Sequence, residues 1–138
     1  MLALDSSVLV AALIASAPHH DACRHLLLSG KHAVHTHAFT ETFSTLTGGR
    51  LGFRISTSDA SSLLRDQLAP KTKPISLTEK ALLRAYADAE SRGVRGGAIY
   101  DYLHLVAAKK AGAEKLMTLN LYDFLSFHRP GDPEIIHP

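Results

Sequence analysis

Residues 96–124, GGAIYDYLHLVAAKKAGAEKLMTLNLYDF, set a carboxylate inside an otherwise apolar segment. Length and composition predict a helix from Ala98 to Ala111, with apolar or small side chains nearly all round it: Ala98, Ile99, Tyr102, Leu103, Leu105, Val106, Ala107 and Ala108. A helix of that kind is buried on most sides, so Asp101 near its start loses hydration on folding. It must then be protonated, hydrogen-bonded by helix N-terminal amides, or held by a cation. Gly112 ends the helix, Lys115 to Leu119 reads as a short strand, and Asn120 to Asp123 reads as a polar turn. A second carboxylate, Asp123, thus follows a strand. Gly96 and Gly97 are expected to let the helix lie close to a sheet.

Outward from this stretch, the chain begins MLALDSSVLVAALI, a buried strand from Leu2 to Leu4 that stops at Asp5 and passes through Ser6 and Ser7 into an apolar helix. Asp5 stands at the C-terminal end of a strand, where ligands bind in open α/β sheets. It can equally serve as a helix cap. A helix from about Asp21 to Leu28 is closed by Gly30, and His32 to Thr36 alternates as a strand. Ala38 to Leu46 is helical, with Phe39, Phe43 and Leu46 on one face and Glu41 opposite. Gly48 to Arg54, GGRLGFR, is a glycine-rich loop whose Arg50 and Arg54 suit a phosphate backbone.

Ser58 to Leu68 is a small amphipathic helix, and APKTKP is a basic connector bounded by prolines. Ile75 to Leu77 is read as a third strand, and Thr78 as the cap of a helix to about Arg92 with Leu82, Tyr86 and Ala89 inward. Pro133 to Ile136 closes the chain as an edge strand. The order of strands and helices predicts one domain over residues 1–138, a central and mainly parallel sheet of four to five strands covered by helices on both faces.

The chain has 138 residues, enough for a single core with a cleft. Its 46% hydrophobic and 20% charged residues are ordinary for a globular protein. No run approaches membrane-spanning length and no signal-peptide pattern is present, so the expected location is the cytoplasm. The single cysteine, Cys23, excludes an internal disulfide and a thiolate-rich zinc site. A net charge of +2 permits nucleic-acid contact without requiring it.

Four carboxylates occupy comparable places: Asp5 after the first strand, Glu41 on the helix after the second, Asp101 early in a buried helix, and Asp123 after a later strand. A parallel sheet brings its strand ends to one edge, so these distant residues can converge. Clustered carboxylates repel and take up protons unless a divalent cation balances them. Oxygen donors without cysteine favour magnesium or manganese over zinc. Nine histidines invite zinc, with His19 and His20 adjacent and His35 and His37 on one side of a strand. Against it, there is no H-E-x-x-H and no helical histidine pair at one-turn spacing. His104 follows Asp101 closely and either packs or touches substrate.

The segments LALDSSVLVAAL, HAFTETFSTLT, the 96–124 stretch and the closing PEIIHP together resemble PIN-domain ribonucleases, and within them the VapC-type toxins of type II toxin–antitoxin pairs. The resemblance spans nearly the whole chain. It implies a PIN-like α/β/α fold, Asp5, Glu41 and Asp101 as metal-binding acids, Ser6 beside them, and Thr118, Asn120 and Asp123 on the rim. In the family's T-x-N-x-x-D-F pattern the fourth acid stands at the position of Asn120 or of Asp123, and here only Asp123 is charged. The resemblance further implies magnesium- or manganese-dependent hydrolysis of RNA by activated water, a homodimer, and a cognate antitoxin whose C-terminal segment fills the groove. These contacts are expected on the exposed face between the first helices.

Other classes fare worse. A phosphoacceptor receiver needs paired acids after its first strand and an aspartate ending its third, and a haloacid-dehalogenase phosphatase needs a second aspartate where Ser7 stands. A serine hydrolase would need a G-x-S-x-G elbow. A PIN-like domain that binds RNA or a regulatory partner without cutting remains the alternative.

Overall fold

Why the apolar runs become one sheet follows from their lengths: each is three or four residues, too short to bury a helix face and long enough to pair. The computed structural model describes residues 1–138. It contains β1 (Leu2–Leu4), α1 (Ser6–Leu13), α2 (His20–Leu28), β2 (His32–His35), α3 (His37–Thr47), α4 (Thr57–Leu63), β3 (Thr72–Ile75), α5 (Glu79–Arg92), α6 (Ala98–Lys110), β4 (Lys115–Met117), α7 (Leu121–Phe127) and β5 (Glu134–Ile136). All strand pairs are parallel, in the order β3-β2-β1-β4-β5. No helix is long and apolar enough to cross a membrane.

The pleat sends alternate residues to opposite faces. Ala3, Ala33, Leu116 and Ile135 pack with Tyr102, Leu105, Phe124 and Phe127 of α6 and α7 and with Ala85 of α5. Their neighbours Leu4, Val34 and Met117 pack on the other face with Val8, Leu9, Cys23, Leu27 and Ala38 of α1, α2 and α3. The result is a three-layer α/β/α fold with a five-stranded parallel sheet, as expected. Cys23 is fully buried, and burial, with the nearby Asp5 charge, pushes its thiol up to about 11, which keeps it inert.

Several boundaries differ from the sequence expectation. The third strand is Thr72–Ile75, so it begins within the APKTKP connector and shares only Ile75 with the expected Ile75 to Leu77. Pro74 signalled a connector, yet β3 is an edge strand, where a residue without an N–H is tolerated. The helix expected to Leu68 is α-helical only to Leu63 and continues as a π-helical turn through Leu64–Leu68. The strand expected to Leu119 ends at Met117, and the expected turn at Asn120 to Asp123 is the start of α7. Tyr86 is exposed, and Ala85 takes the buried position on α5. Gly96 does not serve close packing: a Cβ there or at Gly97 would meet nothing, and the φ of +59° at Gly96 is what needs glycine.

The order positions the site. From β1 the chain moves outward through β2 to β3, then crosses back to place β4 on the other side of β1. The C-terminal ends of β1 and β4 therefore flank a topological switch point, where a crevice opens. Asp5 follows β1 and Thr118 follows β4.

Candidate metal centre

Asp5 leaves β1 in extended conformation and caps α1, so both sequence readings of this residue meet in one side chain. Its Oδ1 accepts from the Val8 N–H at 3.2 Å and from the Ser7 hydroxyl at 2.6 Å. Its Oδ2 accepts from the Thr118 hydroxyl at 2.7 Å. The Ser7 oxygen in turn accepts from the Leu119 N–H at 3.0 Å, and the Thr118 oxygen from the Asn120 N–H at 2.9 Å. Two hydroxyls thereby stitch the end of β1 to the end of β4 and lock the carboxylate between them. Asp5 is 1% exposed, and burial raises its carboxyl above the ordinary value despite these donors and the nearby His104. Ser7 is the serine that hydrogen-bonds Asp5, while Ser6 makes no side-chain hydrogen bond and lines, with Ser7, Thr45 and Asn120, a cleft of about 370 Å³. The Asp-x-Ser spacing across a strand-to-helix cap was the available signal.

Asp101 sits in the first turn of α6, half-buried, with no protein group donating to it. Burial, then the charge of Asp5, and more weakly those of Asp123 and Glu41, push its carboxyl up to about 6, with His104 opposing. The structure thus brings Asp5, Asp123 and Glu41 within electrostatic reach of Asp101. Asp123 is exposed on the first turn of α7 and Asn120 is the exposed N-cap of that helix, its side chain unbonded to the backbone. The largest electrostatic influences on Asp5 and Asp101 include no lysine or arginine; the cationic one is His104. Oxygen donors whose burial and mutual repulsion resist ionisation fit a hard divalent cation, which would offset both.

Glu41 is not the free polar-face glutamate that helix periodicity suggested. The His104 ring donates from Nε2 to Glu41 Oε1 at 2.8 Å, and His37 Nε2 lies 3.1 Å from the same oxygen, out of line for a hydrogen bond. Burial would raise this carboxyl, but His104 and His37 overcome it and hold it down at about 2. Asp101 and His104 are one turn apart on α6, so both face the crevice. His35, the last residue of β2, joins the two histidines: one ring nitrogen from each of the three lies within 4.8 Å of the others. Burial, then His37 and His104, push the His35 ring down to about 4, with Glu41 opposing, so it is neutral. The sequence reading found the His35/His37 spacing but not the third member, which arrives from another element. His19 and His20 do not join them: His20 donates to the Ala11 carbonyl at 2.7 Å, and His19 packs edge-on against His137.

The structure does not bring Arg50 and Arg54 against the carboxylates. Both are exposed in the loop beyond the C-terminus of α3, with the Arg54 side chain lying over Gly49. Along α3, Glu41 and Thr47 are separated by about 9 Å of helix rise.

A five-stranded parallel sheet with buried acids at its switch point defines an α/β/α domain whose crevice suits a cation. The PIN domain family profile matches residues 2–124, and the chain belongs to that family. It is 34% identical over 113 residues to Ribonuclease VapC27 of Mycobacterium tuberculosis, which covers 82% of this chain and 80% of that protein. Its fold is similar to the crystal structure of Mycobacterium tuberculosis VapC20, a sarcin-ricin loop cleaving toxin, with a TM-score of 0.71 at 15% identity, covering 96% of this chain and all of that one (100%). It is also similar to a chain of a toxin–antitoxin complex from Klebsiella pneumoniae, with a TM-score of 0.66 at 17% identity, covering 99% and 96%.

Proposed function

We propose that this chain is a magnesium- or manganese-dependent endoribonuclease, the cytoplasmic toxin of a toxin–antitoxin pair. The observation that carries this is the convergence of Asp5, Asp123 and Glu41 about Asp101 in an acidic crevice whose largest electrostatic influences include no lysine or arginine. The identity to a ribonuclease over most of both chains supports the RNA substrate. Asp5, Asp101, Glu41 and Asp123 are the residues that would hold the ion, which when bound supplies Lewis acidity at phosphorus and acidifies water.

The chain's own residues prepare that chemistry. Ser7, Thr118 and the Val8 amide hold Asp5 in one rotamer, so no reorganisation is needed when the ion arrives. His104 keeps Glu41 ionised. Asn120 and Ser6 line a cleft that also takes in Ser7, the partner of Asp5, and there an amide and a hydroxyl can bond the RNA backbone. Cleavage by water leaves a 5′ phosphate and a 3′ hydroxyl. The cognate antitoxin and a homodimer belong to the same reading. Among exposed large apolar side chains only Leu28 lies on the first two helices, while Leu83, Tyr86, Tyr100, Tyr122 and Leu125 lie on α5, α6 and α7, which supports contacts on that layer instead.

The test is cleavage of structured and unstructured RNA by the purified chain with magnesium, manganese or chelator, alongside Asp5→Asn and Asp101→Asn. Each variant is expected to lose more than the roughly 10–100-fold typical of a residue that merely orients a ligand. Absence of cutting in every RNA, together with no divalent-ion binding by calorimetry, sinks the reading and leaves an interaction module.

A further inference from the structure

Among the buried polar atoms that make no hydrogen bond, three belong to one cluster: His35 Nδ1, His104 Nδ1, and His37 Nε2, which has only the ion-pair contact to Glu41 Oε1 at 3.1 Å. Buried polar groups are normally hydrogen-bonded, and other histidines of this chain obey the rule. His20, His32 and His128 donate to the carbonyls of Ala11, Leu26 and Pro133. The three exceptions lie together, with ring centroids 3.8 Å apart for His35 and His37, 4.7 Å for His37 and His104, and 6.0 Å for His35 and His104. His35 is 6% and His104 2% exposed. The His37 side chain is 24% exposed and gives a route from solvent.

We propose that His35, His37 and His104 form a binding site for a first-row transition ion of the zinc class, distinct from the carboxylate cluster and joined to it by Glu41. Imidazole donors suit zinc, cobalt, nickel or copper, whereas magnesium demands oxygen. His104 already has the orientation such sites use: one ring nitrogen donates to a carboxylate, here Glu41 Oε1, and the other, Nδ1, has no hydrogen-bond partner. Tetrahedral zinc with bonds of about 2.0–2.1 Å sets its ligand nitrogens about 3.3 Å apart, so a cluster now spanning up to 4.8 Å closes by about 1.5 Å on binding. His37, at the first position of α3 and the most exposed of the three, has the freedom to move. Glu41 has a partner only on Oε1, and its Oε2 makes no hydrogen bond within the protein. An ion on the histidines therefore fixes, through His104, a carboxylate that belongs to the acidic crevice.

The experiment is titration of metal-free full-length protein with cobalt(II) in excess magnesium, read by visible absorption and by zinc competition, with thermal unfolding as a second readout. The expected result is one cobalt per chain with the absorption of a nitrogen-rich tetrahedral site, displaced by zinc, and a zinc-dependent rise in Tm. His37→Gln and His104→Gln should weaken cobalt binding by about tenfold or more and abolish the rise in Tm, and Glu41→Gln should weaken binding by about 10–100-fold. Asp5→Asn, which alters only the carboxylate cluster, should retain the spectrum. His37→Gln, at a partly exposed helix start, decides the matter if His104→Gln unfolds. No cobalt spectrum in excess magnesium overturns the proposal, as does a spectrum that survives His37→Gln with His35→Gln or one that vanishes in Asp5→Asn. All of these readouts are independent of RNA cleavage.

Discussion

Thr118 uses a single hydroxyl twice, donating to Asp5 Oδ2 and accepting from the Asn120 N–H. It is fully buried, so neither partner finds water if the hydroxyl is removed. Thr118→Val keeps the shape and removes both bonds, and is expected to cost about 1–3 kcal/mol of stability in denaturant unfolding. Manganese affinity by calorimetry should fall by about tenfold or more, because Asp5 loses the donor that orients it. Thr118→Ser should restore most of both. Equal affinity for wild type and Thr118→Val would mean that Ser7 and Val8 suffice to hold the carboxylate. The sequence already marked Asp5, Asp101 and Thr118. It did not mark Ser7 or the roles of His37 and His104, because those depend on contacts between β1 and β4, or between α3 and α6.

Between elements, the clearest electrostatic tie is Asp132, which accepts from Arg92 at the end of α5, from Lys109 at the end of α6 at 2.9 Å, and from the Arg129 N–H at 2.9 Å. Arg92 also donates to the Phe127 carbonyl at 3.0 Å, so α7 is drawn in. The Asp132 side chain is 1% exposed. Asp132→Ala leaves the mostly buried Arg92 without its partner and is expected to cost about 3 kcal/mol in urea unfolding. Burial would raise the Asp132 carboxyl, but Arg92, Lys109 and the Arg129 amide outweigh it and hold the group below its ordinary value of 3.8. A depressed folded value means a stabilising contribution that is complete above about pH 4 and is lost as pH falls through the folded value. The wild-type advantage over Asp132→Ala should therefore shrink only in acid. A stability difference unchanged between neutral and strongly acidic pH would show that the ion pair contributes nothing.

At the scale of the whole molecule, the proposed function requires RNA to reach from the acidic crevice to basic surface elsewhere. Arg50 and Arg54 are exposed in the loop after α3, where they would serve as backbone contacts. If Arg50 holds a phosphate, Arg50→Glu weakens RNA binding and flattens the plot of log affinity against log salt by about one unit. An unchanged slope removes Arg50 from the interface and directs attention to the basic groove between α5 and α6, lined by Lys80, Arg84 and Lys109.

The alternation of short apolar runs with longer amphipathic ones was enough to determine a parallel α/β sheet, because burial on both faces leaves an unmistakable run of consecutive apolar residues. It also located Asp5 and Asp101, since an acid at a strand end or in an apolar helix is locally anomalous. Local pattern misplaced β3, because Pro74 is tolerated only at a sheet edge and edge position is a property of the assembled sheet. It missed the helical start after Asn120 and the meeting of His35, His37 and His104 with Glu41 for the same kind of reason. Which side chains share a crevice is decided by strand order at the switch point and by how α6 packs on the sheet, and those are long-range contacts that no single stretch of chain contains.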